Sequence, residues 1–145
     1  ELDRALEHFE RAVAIDRNEV DALYQTGRIQ RQRGELARAI ATFDRVVQLD
    51  DEHSASEVWR EIGQTYLAAG QAEDARAAFE TFLDQRPSDA EGLYHLGVTL
   101  DRLGRKDEAS EQMRAVIDAV RTSPMYKYRL ERRWLVEAET YLKQQ

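Results

Sequence analysis

The chain has 145 residues, enough for one domain, and its formal net charge is −7 with a pI near 5.1. This acidic balance argues against nonspecific binding to nucleic acid or to an anionic membrane, because both require a positive field. The chain has no cysteine, which excludes disulfides and cysteine-based metal sites and leaves the compartment open, and no apolar run is long enough to span a membrane.

The first predicted element is a single helix over residues 1–17. Its apolar residues recur three and four apart, as a helix with one buried face requires: Leu2, Ala5, Leu6, Phe9 and Val13. We interpret it as the second helix of a truncated repeat, so we expect the chain to be a segment of a longer protein. Its uncovered face is the surface through which we expect any self-association.

Three helical hairpins follow, over residues 20–53, 56–89 and 90–123. Each has a first helix with a glycine near its middle, a break at a second glycine, and a return helix. In the first hairpin we expect Asn18 to cap the first helix, and we expect a polar turn to follow the return helix. That return helix and that turn occupy Glu35–Leu49 and Asp50–His53.

The second hairpin carries the strongest pattern, which reads Trp59-x2-Ile62-Gly63-x2-Tyr66, then Ala75-x3-Phe79, then Pro87. Two capping boxes mark the starts of the first helices of the second and third hairpins: Ser54 with Glu57, and Ser88 with Glu91. The pattern predicts helices over residues 56–69, 72–85, 89–103 and 106–121.

The last predicted element is a long helix over residues 124–145, with Ser123 as its cap and Pro124 in its first turn. Trp134, Ala138 and Tyr141 keep the spacing of a first helix, with alanine in place of glycine. Because a repeat array ends in a polar cap, we expect the outer surface of this helix to be polar. The residues that supply this polar surface are Arg129, Glu131, Arg132, Arg133, Glu137, Glu139 and Lys143.

Six of the seven glycines fall into two classes that recur with the hairpins. Gly27, Gly63 and Gly97 lie mid-helix, where glycine costs about 0.5–1 kcal/mol relative to alanine, so we expect close approach of the return helix to offset that cost. A small residue is expected to face each of them: Ala39, Ala75 and Ala109. Phe43 and Phe79 are expected to fill the wider space between hairpins. The second class ends the first helices, where a left-handed backbone suits glycine: Gly34, Gly70 and Gly104.

This repeated unit resembles the tetratricopeptide repeat, a helix-turn-helix of about 34 residues with a W-x2-L-G-x2-Y, A-x3-F, P pattern. The second hairpin departs from that pattern only at Ile62, and the resemblance covers roughly residues 1–123. It implies an all-α fold, a right-handed superhelical solenoid of about three full repeats, with a half repeat at the N-terminus and a capping helix at the C-terminus. An irregular helical bundle or a helical solenoid of longer period is the alternative, but neither explains the paired glycine classes.

In the family that the chain resembles, first helices line a concave groove that binds a peptide or a partner helix. By that resemblance we expect the groove to be lined by Asp21, Tyr24, Arg28, Arg31, Glu57, Arg60, Gln64, Leu67, Glu91, Tyr94, Val98 and Asp101. Tyr24 and Tyr94 stand out because aromatic residues are common hot spots, although the same rings would equally cover neighbouring helices. Some family members clamp a peptide carboxylate with Lys, Asn and Arg. The matching places here hold Tyr24, Arg28, Glu61, Glu91 and His95, so we predict no such clamp.

The sequence offers no constellation typical of catalysis. His8, His53 and His95 lie far apart without metal-binding spacing, and the acidic turn at residues 50–52 lacks the glycine and the final glutamate of a calcium loop. No nucleophile elbow, phosphate loop or dinucleotide fingerprint occurs. We therefore predict that the protein is not an enzyme, has no cofactor or metal, and binds a protein or peptide of unknown identity.

Two alternatives stay open at this point. One is a structural or self-assembling role, as a spacer within a larger protein. The other concerns a basic cluster near the C-terminus, which fits either docking of an acidic partner or a solubilising cap surface: Arg121, Lys127, Arg129, Arg132 and Arg133.

Overall fold

The computed structural model describes residues 2–15, 20–50 and 57–145, but not the side chains of residues 11–15. All regular secondary structure in these ranges is helical: α1 (Leu2–Ile15), α2 (Val20–Gln32), α3 (Leu36–Leu49), α4 (Glu57–Ala68), α5 (Ala72–Gln85), α6 (Ala90–Arg102), α7 (Lys106–Arg121) and α8 (Met125–Lys143). The predicted all-α class is confirmed, and the helix ends within the described ranges lie within two residues of the predicted ones. The cap at Asn18, the capping box that begins at Ser54 and the residue His53 lie outside the described residues.

The chain divides into two compact units, residues 1–71 and residues 72–145. In the first unit α1 packs against α2, α2 against α3, and α3 against α4. Its buried apolar side chains are Leu6, Leu23, Ala39, Phe43, Val46, Val58 and Ile62. Leu6 carries the buried face of α1, whereas Leu2 on the same helix remains 40% exposed.

The second unit is organised around α6, which contacts α5, α7 and α8. Its buried cluster joins the last three helices: Ala90, Leu93, Met113, Val116, Val120, Leu135 and Ala138. Because α8 contacts both α6 and α7, it takes the place of a further first helix, as the spacing of Ala138 predicted.

The glycines that end the first helices adopt the predicted conformation. Gly34, Gly70 and Gly104 have φ of 78°, 77° and 78°, and a Cβ added at any of them would meet no atom within 4 Å. After Gly34, the backbone N–H of Glu35 donates to Gln30 at 2.9 Å, and the same six-residue bond recurs after the other two glycines. This is the Schellman arrangement, which satisfies carbonyls at the end of a helix.

Two of the mid-helix glycines, Gly27 and Gly97, accommodate a large side chain of the return helix. A Cβ added at Gly27 would lie 2.7 Å from the ring of Phe43, and one added at Gly97 would lie 2.7 Å from the terminal methyl of Met113. The predicted close approach of the return helix is present at Gly97, where the Ala109 carbonyl oxygen lies 3.5 Å from the same position, but the nearest atoms at both glycines belong to a large side chain rather than to an alanine. Gly92, which the repeat pattern did not explain, makes room for Phe82 of α5 in the same way.

Two predicted helix starts are shifted. The N-cap of α6 is Asp89 rather than Ser88, because the Asp89 carboxylate accepts a hydrogen bond from the Gly92 backbone at 2.9 Å. At α8 the cap position belongs to Pro124. Ser123 instead donates its hydroxyl to the carbonyl of Ala119 at 2.7 Å, so it satisfies the end of α7.

Helix α8 has 19 residues, three fewer than predicted, and its surface is less polar than expected. Met125, Tyr126 and Leu130 are all more than 70% exposed. A purely polar cap is therefore wrong for the N-terminal half of this helix.

Candidate functional site

In the first unit, the facing sides of α2 and α4 meet at Glu61. Arg31 donates from both Nε and Nη2 to one oxygen of Glu61, at 3.1 Å and 2.8 Å, and Arg28 approaches the other oxygen at 3.8 Å. The Glu61 side chain is 10% exposed, whereas those of Arg28 and Arg31 are 41% and 27% exposed. One largely buried carboxylate thus fixes two arginines whose heads still reach solvent.

Arg28 retains hydrogen-bonding capacity within this arrangement. Its Nε atom is buried without a hydrogen-bond partner, and its Nη1 donates to Gln25 at a long 3.4 Å. Its guanidinium lies 5.7 Å from the ring centroid of Tyr24. Because the Nε atom is buried, an acceptor from a partner could reach only the terminal nitrogens of this side chain.

Tyr24 is not exposed in the groove as predicted. It is 4% exposed, and its ring packs at 6.1 Å from that of Phe43. Burial, and after it the charge of Glu61, raises the pKa of Tyr24 to about 12. Tyr24 therefore covers a neighbouring helix, which is the second interpretation that the sequence allowed.

The other predicted residues of this unit differ in exposure. Asp21 is exposed, and Glu57 pairs with Arg60 at 3.6 Å. Gln64 is half-buried, whereas Leu67 is buried and offers little surface. The first unit therefore presents a charged and polar face on α2 and α4.

In the second unit, α8 lies along the predicted binding face of α6. The Tyr94 ring packs 5.3 Å from that of Trp134, and its hydroxyl donates to Glu137 at 3.3 Å. Burial raises the pKa of Tyr94, and the nearby charge of Glu137 adds to the increase. Arg133 stacks over the Trp134 ring at 4.3 Å. An aromatic and arginine surface results, half-buried and anchored on both helices.

Asp101 joins α6 to α8 through a second contact. Its Oδ1 accepts from Lys106 at 2.6 Å and from the Tyr141 hydroxyl at 2.7 Å. The bond to Lys106, and after it the bond to Tyr141, lowers the pKa of Asp101. Burial, followed by the bond to Asp101, raises the pKa of Tyr141 to about 12. Asp101 thus has a structural role, because it joins α6 to α8.

His95 lies inside this aromatic group. Its ring stacks on Phe79 at 5.9 Å and meets Trp134 edge-on at 5.3 Å. On its other side Glu91 approaches at 3.7 Å, and Val98 completes the face as a half-buried residue. The sequence predicted that Tyr94 and Val98 share one side of α6. It did not predict that Trp134 of α8 packs against that side.

This arrangement offers binding surfaces rather than reactive groups. Among the described residues, no group of three or more His, Asp or Glu is placed to hold a metal ion. Glu61 and His95 occupy two of the positions that were compared with a carboxylate clamp. Here Glu61 contacts two arginines, and the His95 ring stacks on Phe79. Within the ranges that the structure describes, no helix is both long enough and apolar enough to cross a membrane.

Comparison with known proteins identifies the repeat. A family model described as tetratricopeptide repeat matches residues 1–54 and 60–124. The general transcriptional corepressor trfA of Dictyostelium discoideum is 29% identical over 119 residues, which is 81% of this chain and 8% of that protein. The chain therefore spans only a small part of this curated relative.

Solved structures share the fold at low sequence identity. A crystal structure of MamA covers 98% of this chain and 87% of its own, at 21% identity and a TM-score of 0.76. A crystal structure of PcrH with the chaperone-binding region of PopB covers 84% of this chain and 93% of its own, at 18% identity and a TM-score of 0.75.

Proposed function

Because this chain belongs to the tetratricopeptide repeat family, it is a protein-recognition module, and we propose that it binds a peptide or a partner helix on the faces of its first helices. Repeat arrays present extended surfaces because each repeat buries one side on its neighbours and leaves another side to solvent. The described side chains of α2, α4 and α6 support this proposal unit by unit.

The aromatic group of the second unit carries the proposal. Tyr94, Trp134 and Arg133 belong to the residue types that dominate binding energies, and here they contact one another while remaining partly exposed. Their mutual packing holds the rings in place before a partner arrives, which reduces the entropy lost on binding. We propose that an apolar side chain of the partner packs on this group.

The charged face of the first unit supports a polar contact. Arg28 is held beside Glu61 and Tyr24 while 41% of its side chain stays exposed, so a carbonyl or carboxylate of the partner is the group that its guanidinium would bind. The solved complex of PcrH with a region of PopB shows that a protein of this fold holds a segment of another protein. Arrays of this family are typically non-catalytic, and we propose the same for this chain.

The experiment is selection from a display library of random peptides with the whole chain as bait. Selected peptides are then measured by fluorescence polarisation against the parent chain and against Tyr94→Ala and Arg28→Ala. We expect each peptide to lose roughly tenfold or more in affinity for at least one variant, because one aromatic or guanidinium contact is removed.

Three controls keep this result interpretable. Glu111→Ala changes an exposed residue of α7, on a return helix, and should leave affinity within about twofold. Tyr94→Phe retains the ring and should bind like the parent chain, and circular dichroism melts check that each variant is folded. Peptides that bind both truncated variants as tightly as the parent chain would overturn the proposal.

A second candidate is self-association through α1. Leu2 is 40% exposed and Phe9 is partly exposed on this helix, which leaves apolar surface for a second copy. Light scattering over a range of concentrations should then show a mass that rises for the parent chain and stays monomeric for Leu2→Glu. A constant monomer mass for the parent chain would exclude this candidate.

A further inference from the structure

The N-terminal half of α8 exposes apolar side chains that nothing in the second unit covers. Met125, Tyr126 and Leu130 are 71%, 73% and 76% exposed, and Val136 further along is 48% exposed. These are the most exposed large apolar side chains in the described part of the chain. Tyr126 and Leu130 are four residues apart, so they lie next to each other on the helix surface.

Basic side chains alternate with these apolar ones. Arg129 and Arg133 are exposed and follow Met125 at intervals of four residues, which places them on the same side of α8. We call this surface, formed by Met125, Tyr126, Arg129, Leu130 and Val136, the outer face of α8. Arg133 is left out because it stacks over Trp134. Lys127 and Arg132 are exposed beside it. The outer face is separate from the side of α8 that packs on α6.

The acidic residues of α8 offset only part of this charge, because residues 125–137 contain four basic residues and two acidic ones. Glu131 accepts from Ser123 at 3.2 Å, Glu137 from Tyr94 at 3.3 Å, and Glu139 pairs with Arg121 at 3.3 Å. Within the described residues, by contrast, Lys127, Arg129 and Arg132 make no ion pair. The outer face is therefore a locally basic and apolar surface on a chain whose formal net charge is −7.

We infer that the outer face of α8 docks an acidic amphipathic helix of a partner protein. Apolar residues at the three- and four-residue spacing of that helix would pack on Tyr126 and Leu130, and its flanking Asp and Glu would meet Arg129 and Arg132. Exposed apolar patches rimmed by charge are typical of interaction sites, and charge of opposite sign sets both orientation and association rate. This surface is additional to the first-helix faces of the proposed function.

Charge favours an acidic protein segment over two other occupants. An anionic bilayer would attract α8 but repel most of the remaining chain, whose acidic residues outnumber its basic ones. A second copy of the chain would bring the same basic outer face if the two copies met by two-fold symmetry, and those faces would repel each other. A separate acidic helix has neither problem.

The test uses two synthetic helices of the same length, one built from Leu and Glu and the other from Leu and Lys. Each carries a fluorophore, and polarisation is measured with the whole chain at low and at physiological salt. We expect the acidic helix to bind, to bind more weakly at higher salt, and to bind far better than its basic twin. Equal binding of the twins, or no binding of the acidic helix, overturns the inference.

Substitutions in and beside the outer face test whether the acidic helix binds there. Tyr126→Ala with Leu130→Ala, and separately Arg129→Glu with Arg132→Glu, should each weaken the acidic helix roughly tenfold or more. The altered side chains are exposed, so folding should persist, which circular dichroism checks. Leu49→Ala and Arg114→Glu change an exposed apolar and an exposed basic residue elsewhere and should have no effect. Equal losses in these two controls overturn the inference.

The other occupants give distinct results. Vesicles of phosphatidylcholine and phosphatidylserine that bind the parent chain through Leu130, while the acidic helix does not bind, would assign the outer face to a membrane. A concentration-dependent dimer that Leu130→Ala dissociates would assign it to a second copy. Either result overturns the inference, and neither bears on the peptide variants at Tyr94 and Arg28 that test the proposed function.

Discussion

The two units place the same repeat position in different surroundings, as Tyr24 and Tyr94 show. These tyrosines are equivalent in the first and third hairpins. Tyr24 is buried against Phe43, whereas Tyr94 stays half-buried against Trp134 and donates to Glu137. The position within the repeat fixes the direction of the side chain, and the neighbouring helix decides whether it is covered.

Glu61 and His95 occupy the next position of their repeats, and their surroundings also differ. In the first unit Glu61 holds two arginines, which makes the face charged. In the second unit His95 stacks between Phe79 and Trp134, which makes the face aromatic. A shared backbone thus carries two chemically distinct surfaces, so we expect the positions that vary between repeats to determine specificity.

The largest expected effects test whether the residues above the mid-helix glycines hold each unit together. Phe43→Ala in the first unit and Met113→Ala in the second should each lower the free energy of unfolding by about 3–4 kcal/mol, because both side chains are fully buried. Urea unfolding followed by circular dichroism measures this, with the exposed Leu49→Ala as control. A loss below about 1 kcal/mol at either site would place that side chain outside the core.

Replacing Glu61 by alanine tests the charged face of the first unit. The variant should lose about 1–2 kcal/mol, less than a fully buried pair, because Arg28 and Arg31 still reach water. Glu108→Ala breaks a fully exposed pair with Arg105 in the second unit and should leave the urea midpoint unchanged. Equal behaviour of the two variants would show that Glu61 is not a special contact.

Alanine at a mid-helix glycine should destabilise the first unit but leave the stability of the second unit nearly unchanged. Gly27→Ala pushes a Cβ into the ring of Phe43, and we expect a net loss of about 1–2 kcal/mol. Gly97→Ala meets the flexible end of Met113, which can move aside, so the gain in helix propensity of up to about 1 kcal/mol should offset the contact. Thermal melts of both variants measure the difference, and equal losses would contradict the packing described for Met113.

The smallest expected effect concerns the contact between Asp101 and Tyr141. Tyr141→Phe should lose about 0.5–1.5 kcal/mol at neutral pH and raise the pKa of Asp101 towards its usual value. Because the folded-state pKa of Asp101 is lowered, its contribution is present above the unfolded value of 3.8 and fades as pH falls through the folded-state pKa. NMR titration of the carboxyl and unfolding at several pH values measure both changes. A loss that persists unchanged in strong acid would contradict this assignment.

The sequence predicted the parts of this structure that depend on local backbone chemistry. Gly34 was recognisable because a positive φ after a helix selects glycine, and the helix pattern followed from apolar periodicity. The cap of α6 was missed by one residue because Ser88 and Asp89 are both good caps, and only the backbone angles choose between them.

The candidate site was less predictable because its contacts join distant residues. Arg31 and Glu61 are 30 positions apart, so their ion pair depends on how α2 and α4 are staggered. Tyr24 matched the groove pattern, but the room beside Phe43 that buries it is a property of packing. The exposed Leu130 was likewise hidden by the many charges around it in the sequence.

The most direct test of recognition by the first helices is photo-crosslinking in cells, with a benzophenone amino acid placed at Val98 of α6 and at Gln64 of α4. Matched probes at Ala77 of α5 and Glu111 of α7 report the exposed sides of return helices. We expect specific protein adducts from the first pair of positions and none of those adducts from the second pair. Adducts that form only at Ala77 and Glu111 would contradict the account and move the recognition surface to the return helices.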